Sequence, residues 1–320
     1  MLTSGVPQGG ILSPIVFTIY TADMELWLKS SKVFNFADDT TTDTKGKEPM
    51  DIKLKLEKDA INALQFMASN GLVANQKKTE FMVLNEKVKT GLLDDIAVGD
   101  VIIKRTTSTK LLGIYIEESQ EWNDHVKALK SSLNQRLFVI RRLTNQIPGP
   151  KLMGIVHALW ISKVRYGLQL CTKVQLRETD PSSACLRTLQ LTQNRLLRLL
   201  NGSKKSDKIS IKSMLNKFGL LSINQLAAKI KLIETWKSIN KEGYPIALEK
   251  FNSHVTVHQH NLRHQPNRIF KDTCKFKKSE SSFHVDAARL WNAAPAVIKS
   301  ALTLHSAKKE IDKFCKTLPV

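Results

Sequence analysis

The hydrophobic pattern changes its period near residue 120, and this change constrains the fold more than any other feature. Before it, short apolar runs alternate between turn residues, as in Val33-Phe34-Asn35-Phe36-Ala37, which predicts strands. After it, apolar residues recur at helical spacing over long stretches. We therefore expect an α+β unit that ends near Gln120, followed by an all-helical region.

The pattern also predicts individual elements. We expect strands over 33–37, 40–42, 81–84, 96–98, 101–103 and 111–116. Ser13 is predicted to cap a largely buried helix that reaches about Lys29, and a second helix is predicted over 50–70. Further helices are predicted over 122–145, 151–166, 184–200 and 223–239, with a last helical stretch around 287–291 and 307–314. Residues 250–282 are basic and weakly periodic, which is typical of a loop or linker.

Charge is distributed unevenly along the 320 residues. The chain has 49 Lys and Arg against 29 Asp and Glu, a net charge of +20. The first 120 residues carry 14 basic and 16 acidic side chains, whereas residues 121–320 carry 35 and 13. Such a cationic region attracts polyanions, so nucleic acid is the expected partner. A ribosome-bound, membrane-surface or merely solvated basic domain is the alternative.

Composition excludes several classes of protein. With 42% hydrophobic residues the chain is neither disordered nor fibrous. We expect no membrane partner, because no apolar stretch is long enough to span a bilayer, and no secretory signal is visible. The four cysteines form no C-x-x-C pair. We therefore expect an intracellular protein without disulfides, in the nucleus or the cytoplasm.

Two adjacent carboxylates, Asp38 and Asp39, follow Phe36-Ala37 at a predicted turn between strands. Their mutual repulsion is relieved when a cation lies beside them, and Mg²⁺ prefers carboxylate and phosphate oxygens. A pair of such ions supports nucleotidyl transfer. The alternative is that Asp-Asp is simply a favourable turn sequence.

A glycine-rich segment lies upstream of this pair. Gly5-Val6-Pro7-Gln8-Gly9-Gly10 leads into the first predicted helix and lacks the G-K-[ST] of a phosphate-binding P-loop. Its glycines permit close backbone approach to a ligand, and Gln8 can hydrogen-bond a base or sugar edge. Such turns before helices are also common without any ligand.

Together these segments resemble the reverse transcriptases of non-LTR retrotransposons, particularly the jockey-like elements. The resemblance continues in the same order through Asn75-Gln76-Lys77-Lys78-Thr79, which is similar to an N-x-x-K-T segment, and Lys110-Leu111-Leu112-Gly113-Ile114, which is similar to the primer grip. Trp122 and His125 resemble the start of the thumb. Tyr166-Gly167, the Gln193-Asn194-Arg195 helix and Leu290-Trp291-Asn292 resemble the basic C-terminal region.

The resemblance implies a polymerase fold in three parts. These are a partial palm over 1–120, a helical thumb or connection over 121–249, and a basic loop with a helical C-terminal region over 250–320. It further implies RNA-directed DNA polymerase activity by two-metal nucleotidyl transfer with Mg²⁺, acting on an RNA template and an RNA–DNA hybrid.

The resemblance also implies roles for single residues. Asp38 would be a direct metal ligand with Asp39 beside it, and Lys78 would lie near the pyrophosphate leaving group. The residues near the incoming nucleotide and template would be Gln8, Gly9, Phe36 and Ala37, and those of the primer grip would be Leu112 and Gly113. Without the motif, Lys78 is an ordinary solvated lysine.

One departure from the family concerns catalysis. The first catalytic aspartate and the fingers of these enzymes precede the Gly-Val-Pro-Gln-Gly segment, and their D-x-x-x-A-F-D pattern does not occur in this chain. We therefore expect a truncated polymerase that is inactive or nearly so unless a partner chain supplies the missing part. A misplaced start at Met1 is the other explanation. The alternatives are a catalytically silent nucleic-acid-binding remnant and a fragment destabilised by an open sheet edge.

Basic side chains recur on the predicted helices between apolar residues. That spacing allows one helix face to pack while the other contacts phosphates. The candidate nucleic-acid-binding residues are Arg136, Arg141, Arg142, Arg195 and Arg198. His254, His258, His260 and His264 form a histidine cluster, for which nucleic-acid contact or a plain loop is favoured over zinc because no cysteine or acidic partner lies nearby. Cys171 and Cys315 are predicted to be small buried residues.

Overall fold

The computed structural model describes residues 5, 7, 9–84, 95–99, 101–240, 242–243, 251, 268–269 and 280–320. It divides the chain into two compact units. The first unit comprises Met1–Thr109 and Glu117–Ser119, and the second, called the helical unit below, comprises Lys110–Ile116 and Gln120–Val320. No helix within the described ranges is long and apolar enough to cross a membrane.

The first part of the chain contains three helices and six short strands among its described residues. The helices are α1 (Ser13–Thr21), α2 (Met24–Trp27) and α3 (Pro49–Ser69). The strands are β1 (Ser31–Phe36), β2 (Asp39–Thr44), β3 (Asp95–Val98), β4 (Val101–Lys104), β5 (Ser108–Leu111) and β6 (Ile114–Glu117). They form three two-stranded sheets, β1–β2, β3–β4 and β5–β6. The predicted strands over 33–37, 40–42, 96–98 and 101–103 are confirmed.

The predicted strand over 81–84 is wrong. Phe81 makes an isolated bridge to Arg105, and the three residues after it are irregular. The predicted strand over 111–116 is in fact the end of β5, the turn at Leu112 and Gly113, and β6. A short apolar run fits a strand by composition, but it becomes one only where a partner backbone supplies the hydrogen bonds.

Helix α3 forms the centre of the first unit because it has apolar residues on two sides. One side contributes Phe66, which is fully buried against Met24 and Leu28. The other side contributes half-buried Leu56, Ala60 and Leu64, which pack on the buried residues of β3 and β4, namely Ile96, Val98 and Ile103. The predicted helix over 50–70 is confirmed.

Three expectations for the first helix are wrong. α1 has no buried residue, and Ile15 and Ile19 are 56% and 70% exposed. Ser13 does not cap it, since the Ser13 hydroxyl donates to the backbone carbonyl of Pro7 over 2.7 Å. The chain also breaks between α1 and α2 instead of continuing as one helix to Lys29.

Helices account for most of the second unit. Those before residue 205 are α4 (Asn123–Leu143), α5 (Gly149–Val156), α6 (Ser162–Arg165), α7 (Leu168–Cys171) and α8 (Ala184–Asn201), and a π-helical turn, His157–Ile161, joins α5 to α6. Those after it are α9 (Ile211–Phe218), α10 (Ile223–Ile239), α11 (Phe283–Ala293), α12 (Ala296–Lys299) and α13 (Leu304–Thr317). The helices predicted from the periodicity of this region are confirmed, whereas α7, α9 and α12 were not predicted.

Local sequence signals fix several helix ends in the helical unit. Ser183 caps α8 by accepting a hydrogen bond from the Leu186 amide over 3.2 Å, and Gly202 ends it with a φ of 64°. Ser222 and Gln225 form a capping box at the start of α10.

One large hydrophobic core, formed only by helical and connecting segments, lies inside this unit. Its largest fully buried side chains are Trp160, Trp236 and Trp291. The palm and thumb assignments and the boundaries at 120 and 250 stay predictions. Most of the predicted loop over 250–282, including the four clustered histidines, lies outside the described residues.

Candidate functional site

The Asp38–Asp39 pair lies at the tip of the β1–β2 hairpin. The two strands pair in register from Ser31 with Thr44 to Phe36 with Asp39, which leaves Ala37 and Asp38 as a two-residue turn. Ala37 has a φ of 53°, in the left-handed region that favours glycine. Hairpin turns of two residues require such a positive φ, so the tight turn itself imposes this conformation on Ala37.

Both carboxylates are exposed, as are the neighbouring Phe36 and Ala37. Neither Asp38 nor Asp39 forms an ion pair or side-chain hydrogen bond with the described part of the chain, whereas Asp43 further along β2 pairs with Lys45 over 3.4 Å. Two adjacent, unpaired negative charges at a turn can accept a hard divalent cation.

The fit of this pair to a complete magnesium site is only partial. No group of three or more His, Cys, Asp or Glu side chains that could hold a metal occurs among the residues that the structure describes. Asp38 and Asp39 therefore supply part of a ligand set, and the described chain supplies no third ligand to complete it.

The glycine-rich segment turns at Gly9 and Gly10 before α1. Gly9 has a φ of 83°, and the Gly10 amide donates to the Pro7 carbonyl over 3.3 Å. A Cβ at Gly10 would lie 2.6 Å from Oγ of Ser13, the atom that donates to the same carbonyl. A side chain at position 10 would therefore require the Ser13 hydroxyl to move. Gln8 lies outside the described residues.

Lys78 ends a short 3₁₀ helix, Gln76–Lys78, and its side chain is exposed. The Lys78 amide donates to the Asn75 carbonyl over 3.0 Å, and the Thr79 hydroxyl donates to the same carbonyl over 3.0 Å. Asn75 thus closes the turn that presents Lys78 to solvent. Its role beside a pyrophosphate group stays a prediction.

The β5–β6 turn is held by the helical unit. Leu112 and Gly113 both have positive φ values, 47° and 82°, and the Tyr166 hydroxyl donates to the Leu112 carbonyl. Gly167, with a φ of 76°, lies so close to Ile114 and His125 that a Cβ there would be 3.2 Å from Ile114 Cδ1. The turn is therefore fixed by the segment after α6.

Sequence reasoning missed these contacts, although it had named most of the residues. Trp122 and His125 pack edge to face with ring centroids 6.4 Å apart, and the imidazole is buried. Burial lowers the pKa of His125, and the Lys163 ammonium lowers it further. The available signal was the presence of both Leu112-Gly113 and Tyr166-Gly167 as motifs, but sequence spacing does not reveal that they touch.

The predicted nucleic-acid-binding arginines lie on two helices. Arg136, Arg141 and Arg142 are on α4, and Arg195 and Arg198 are on α8. Arg141, Arg142 and Arg195 are exposed, and the Arg142 guanidinium lies 5.8 Å from the centroid of the exposed Phe138 ring. Arg136 instead donates to the hydroxyl of Ser132 within its own helix. Their contact with nucleic acid stays a prediction.

Comparison with known families finds a match in the first part of the chain. Residues 1–116 match the family model for reverse transcriptase (RNA-dependent DNA polymerase). This reverse transcriptase match includes the glycine loop, the Asp38–Asp39 hairpin, Lys78 and the Leu112–Gly113 turn, whereas residues 117–320 lie outside it. No curated protein and no solved structure matches the chain at a significant level.

Proposed function

We propose that this chain carries the nucleotidyl-transfer part of an RNA-directed DNA polymerase of the non-LTR retrotransposon type, with a palm over 1–120 and a thumb in the helices that follow. The observation that carries the proposal is the reverse transcriptase match over residues 1–116, which includes an exposed, unpaired Asp38–Asp39 pair at a hairpin tip. The order of the motifs supports the non-LTR type.

In this proposal Asp38 and Asp39 hold Mg²⁺, which when bound would polarise a nucleotide phosphate. Lys78 places an ammonium where negative charge develops on the leaving pyrophosphate. Because the described residues include no third ligand, the pair alone does not form a two-metal site. We therefore propose that polymerisation requires a further carboxylate beside Asp38.

A catalytically silent nucleic-acid-binding module is the second candidate. It is favoured by the charge of residues 121–320, which carry 35 basic and 13 acidic side chains. The exposed Arg141, Arg142 and Arg195 also support it, because arginine binds phosphate oxygens in a bidentate manner. Both candidate functions include nucleic-acid binding, but only the polymerase requires the β1–β2 hairpin to bind a metal ion.

Metal binding at the hairpin separates them. Mn²⁺, a paramagnetic substitute for Mg²⁺, should broaden the amide NMR signals of residues 36–40 in the wild-type chain, and this broadening should disappear in Asp38→Asn. Asp43→Asn is the matched control, because Asp43 lies on β2, the strand that follows Asp38, and pairs with Lys45. Equal broadening in both variants would overturn the metal assignment.

Primer extension on an RNA template then tests the reaction. We expect the isolated chain to bind a labelled RNA–DNA hybrid with an affinity that falls steeply with salt, and to incorporate no nucleotide. Incorporation that is abolished by Asp38→Ala and kept in Asp43→Ala would show that the chain is competent by itself. Hybrid binding that is insensitive to salt would contradict the nucleic-acid role of the basic helices.

A further inference from the structure

A pocket in the helical unit lies beside the Leu112–Gly113 turn, away from the carboxylate hairpin in sequence. Its polar lining consists of Lys110, Tyr115, His125, Ser132, Lys163 and Tyr166. These side chains come from the β5–β6 hairpin, from α4 and from the end of α6, so the pocket is built entirely by one compact unit.

The charge of this pocket is positive and uncompensated. No carboxylate lines it, and Lys163 forms no ion pair or hydrogen bond with the described part of the chain. The Lys110 ammonium lies 5.8 Å from the centroid of the Tyr115 ring, a cation–π contact that leaves its hydrogen-bond donors free for another group. Arg136 adds a third cation next to the pocket through its hydrogen bond to Ser132. Unpaired cations that converge on a pocket favour an anionic ligand.

His125 provides a second, independent observation. Its side chain is 5% exposed, and Nε2 is buried without a hydrogen-bond partner. A buried polar atom left unpaired costs about 1–3 kcal/mol, so most such atoms in proteins have a partner. The pocket lining beside this imidazole includes the Lys163 side chain, whose ammonium also lowers the pKa of His125.

We propose that this pocket binds one phosphate group of a nucleic-acid backbone, with Lys110 and Lys163 as its counter-charges. Part of this inference rests on the proposed function, which supplies the source of the phosphate. The binding groups are Lys110 on β5, His125 on α4 and Lys163 on α6. The phosphate charge offsets the repulsion between the two ammonium groups, and it favours the protonated form of His125, which donates from both ring nitrogens.

The first experimental arm uses a labelled RNA–DNA hybrid and the full chain. Lys163→Gln should weaken binding several-fold and make the dependence of log affinity on log salt less steep by about 1. Lys313→Gln is the matched control: it removes the same charge from α13, where Lys313 pairs with Glu310 over 2.7 Å, and should leave both quantities near wild type. Lys110→Gln is the second pocket variant, should Lys163→Gln fold poorly.

The second arm uses inorganic phosphate without nucleic acid. Phosphate should shift the ring-proton NMR signals of His125 and raise the pKa of its imidazole in the wild-type chain, and it should do neither in Lys163→Gln.

The two arms separate failure of the pocket from failure of the proposed function. If Lys163→Gln and Lys313→Gln bind the hybrid with equal affinity, the pocket does not bind a phosphate of the nucleic-acid backbone. If phosphate also leaves the His125 signals unshifted, the pocket is not a phosphate site. A His125 shift with phosphate in a chain that binds no hybrid would support the phosphate site, assign it to a free phosphate, and overturn the proposed function.

Discussion

Lys231 and Asp286 form an ion pair in the centre of the helical unit, with Nζ and Oδ2 2.7 Å apart and both side chains completely buried. The same ammonium donates to the Thr172 carbonyl over 2.6 Å. Oδ2 of Asp286 also accepts the Val174 amide over 2.9 Å, and Oδ1 accepts the guanidinium of Arg289 over 2.7 Å. The pair thereby links α10, α11 and the extended segment after α7.

Replacing Asp286 with Asn should be strongly destabilising. It leaves the Lys231 charge in an apolar interior without its counter-ion, and breaking a buried pair in this way costs about 3–5 kcal/mol. Burial lowers the pKa of Lys231, and the Asp286 carboxylate acts in the opposite direction by raising it. Urea unfolding of the wild-type and variant chains measures the loss in free energy of unfolding.

A double variant serves as the control for this prediction. Lys231→Met combined with Asp286→Leu removes both charges and replaces them with apolar side chains, so it should be less destabilised than Asp286→Asn. If the free energy of unfolding of Asp286→Asn lies within about 1 kcal/mol of the wild-type value, the buried ion pair does not stabilise the helical unit as we expect.

The comparison of α10 with α1 shows where sequence reasoning succeeds. α10 begins and ends at the predicted residues 223 and 239, because its capping box and its long helical period agree with its burial. α1 also has apolar residues at helical spacing, but none of them is buried. Periodicity indicates that a helix has an apolar face, but that face is buried only where another element of the fold packs against it.

The candidate site shows a similar division. The hairpin that carries Asp38 and Asp39 was predictable, because strand-like sequences flank a turn sequence and all of these signals are local. The contact between Tyr166 and Leu112 was not, because these residues are 54 positions apart and no local rule relates them. The uncompensated charge of Lys163 beside His125 likewise depends on tertiary packing, so the pocket is visible only in the folded chain.

Gly167→Ala should destabilise the helical unit by about 1–3 kcal/mol, because it combines a left-handed backbone with a crowded site. The φ of 76° disfavours any L side chain, and the new Cβ would lie 3.2 Å from Ile114 Cδ1 and 3.3 Å from His125 Nε2. Thermal unfolding measures the change.

Gly154→Ala provides the opposite expectation within the same unit. Gly154 lies inside α5, and nothing is within 4 Å of its added Cβ. Alanine there should stabilise by about 0.5–1 kcal/mol, since it loses less conformational freedom on folding. Equal effects of the two substitutions would mean that neither backbone strain nor crowding acts at position 167.

Cys171 and Cys315 should resist alkylation in the folded chain. Burial is the main factor that raises the pKa of each thiol to about 12, so almost no reactive thiolate exists at pH 8. Mass spectrometry after iodoacetamide treatment should find both residues unmodified in buffer and modified in urea. Alkylation at equal rates under the two conditions would contradict their burial.

The stability of the helical unit should fall as the pH drops below the ordinary histidine pKa of 6.5. Burial and the Lys163 ammonium hold the pKa of His125 below this value, so the unfolded chain binds more protons than the folded chain in that range. The stabilisation is therefore complete above pH 6.5 and is lost as the pH falls through the folded-state pKa. Urea unfolding from pH 7.5 to 5 measures this slope. It should flatten in His125→Gln and persist in the control His305→Gln, because His305 is exposed on α13. If the His125→Gln slope equals that of wild type, protonation of His125 does not contribute to the acid sensitivity of the fold.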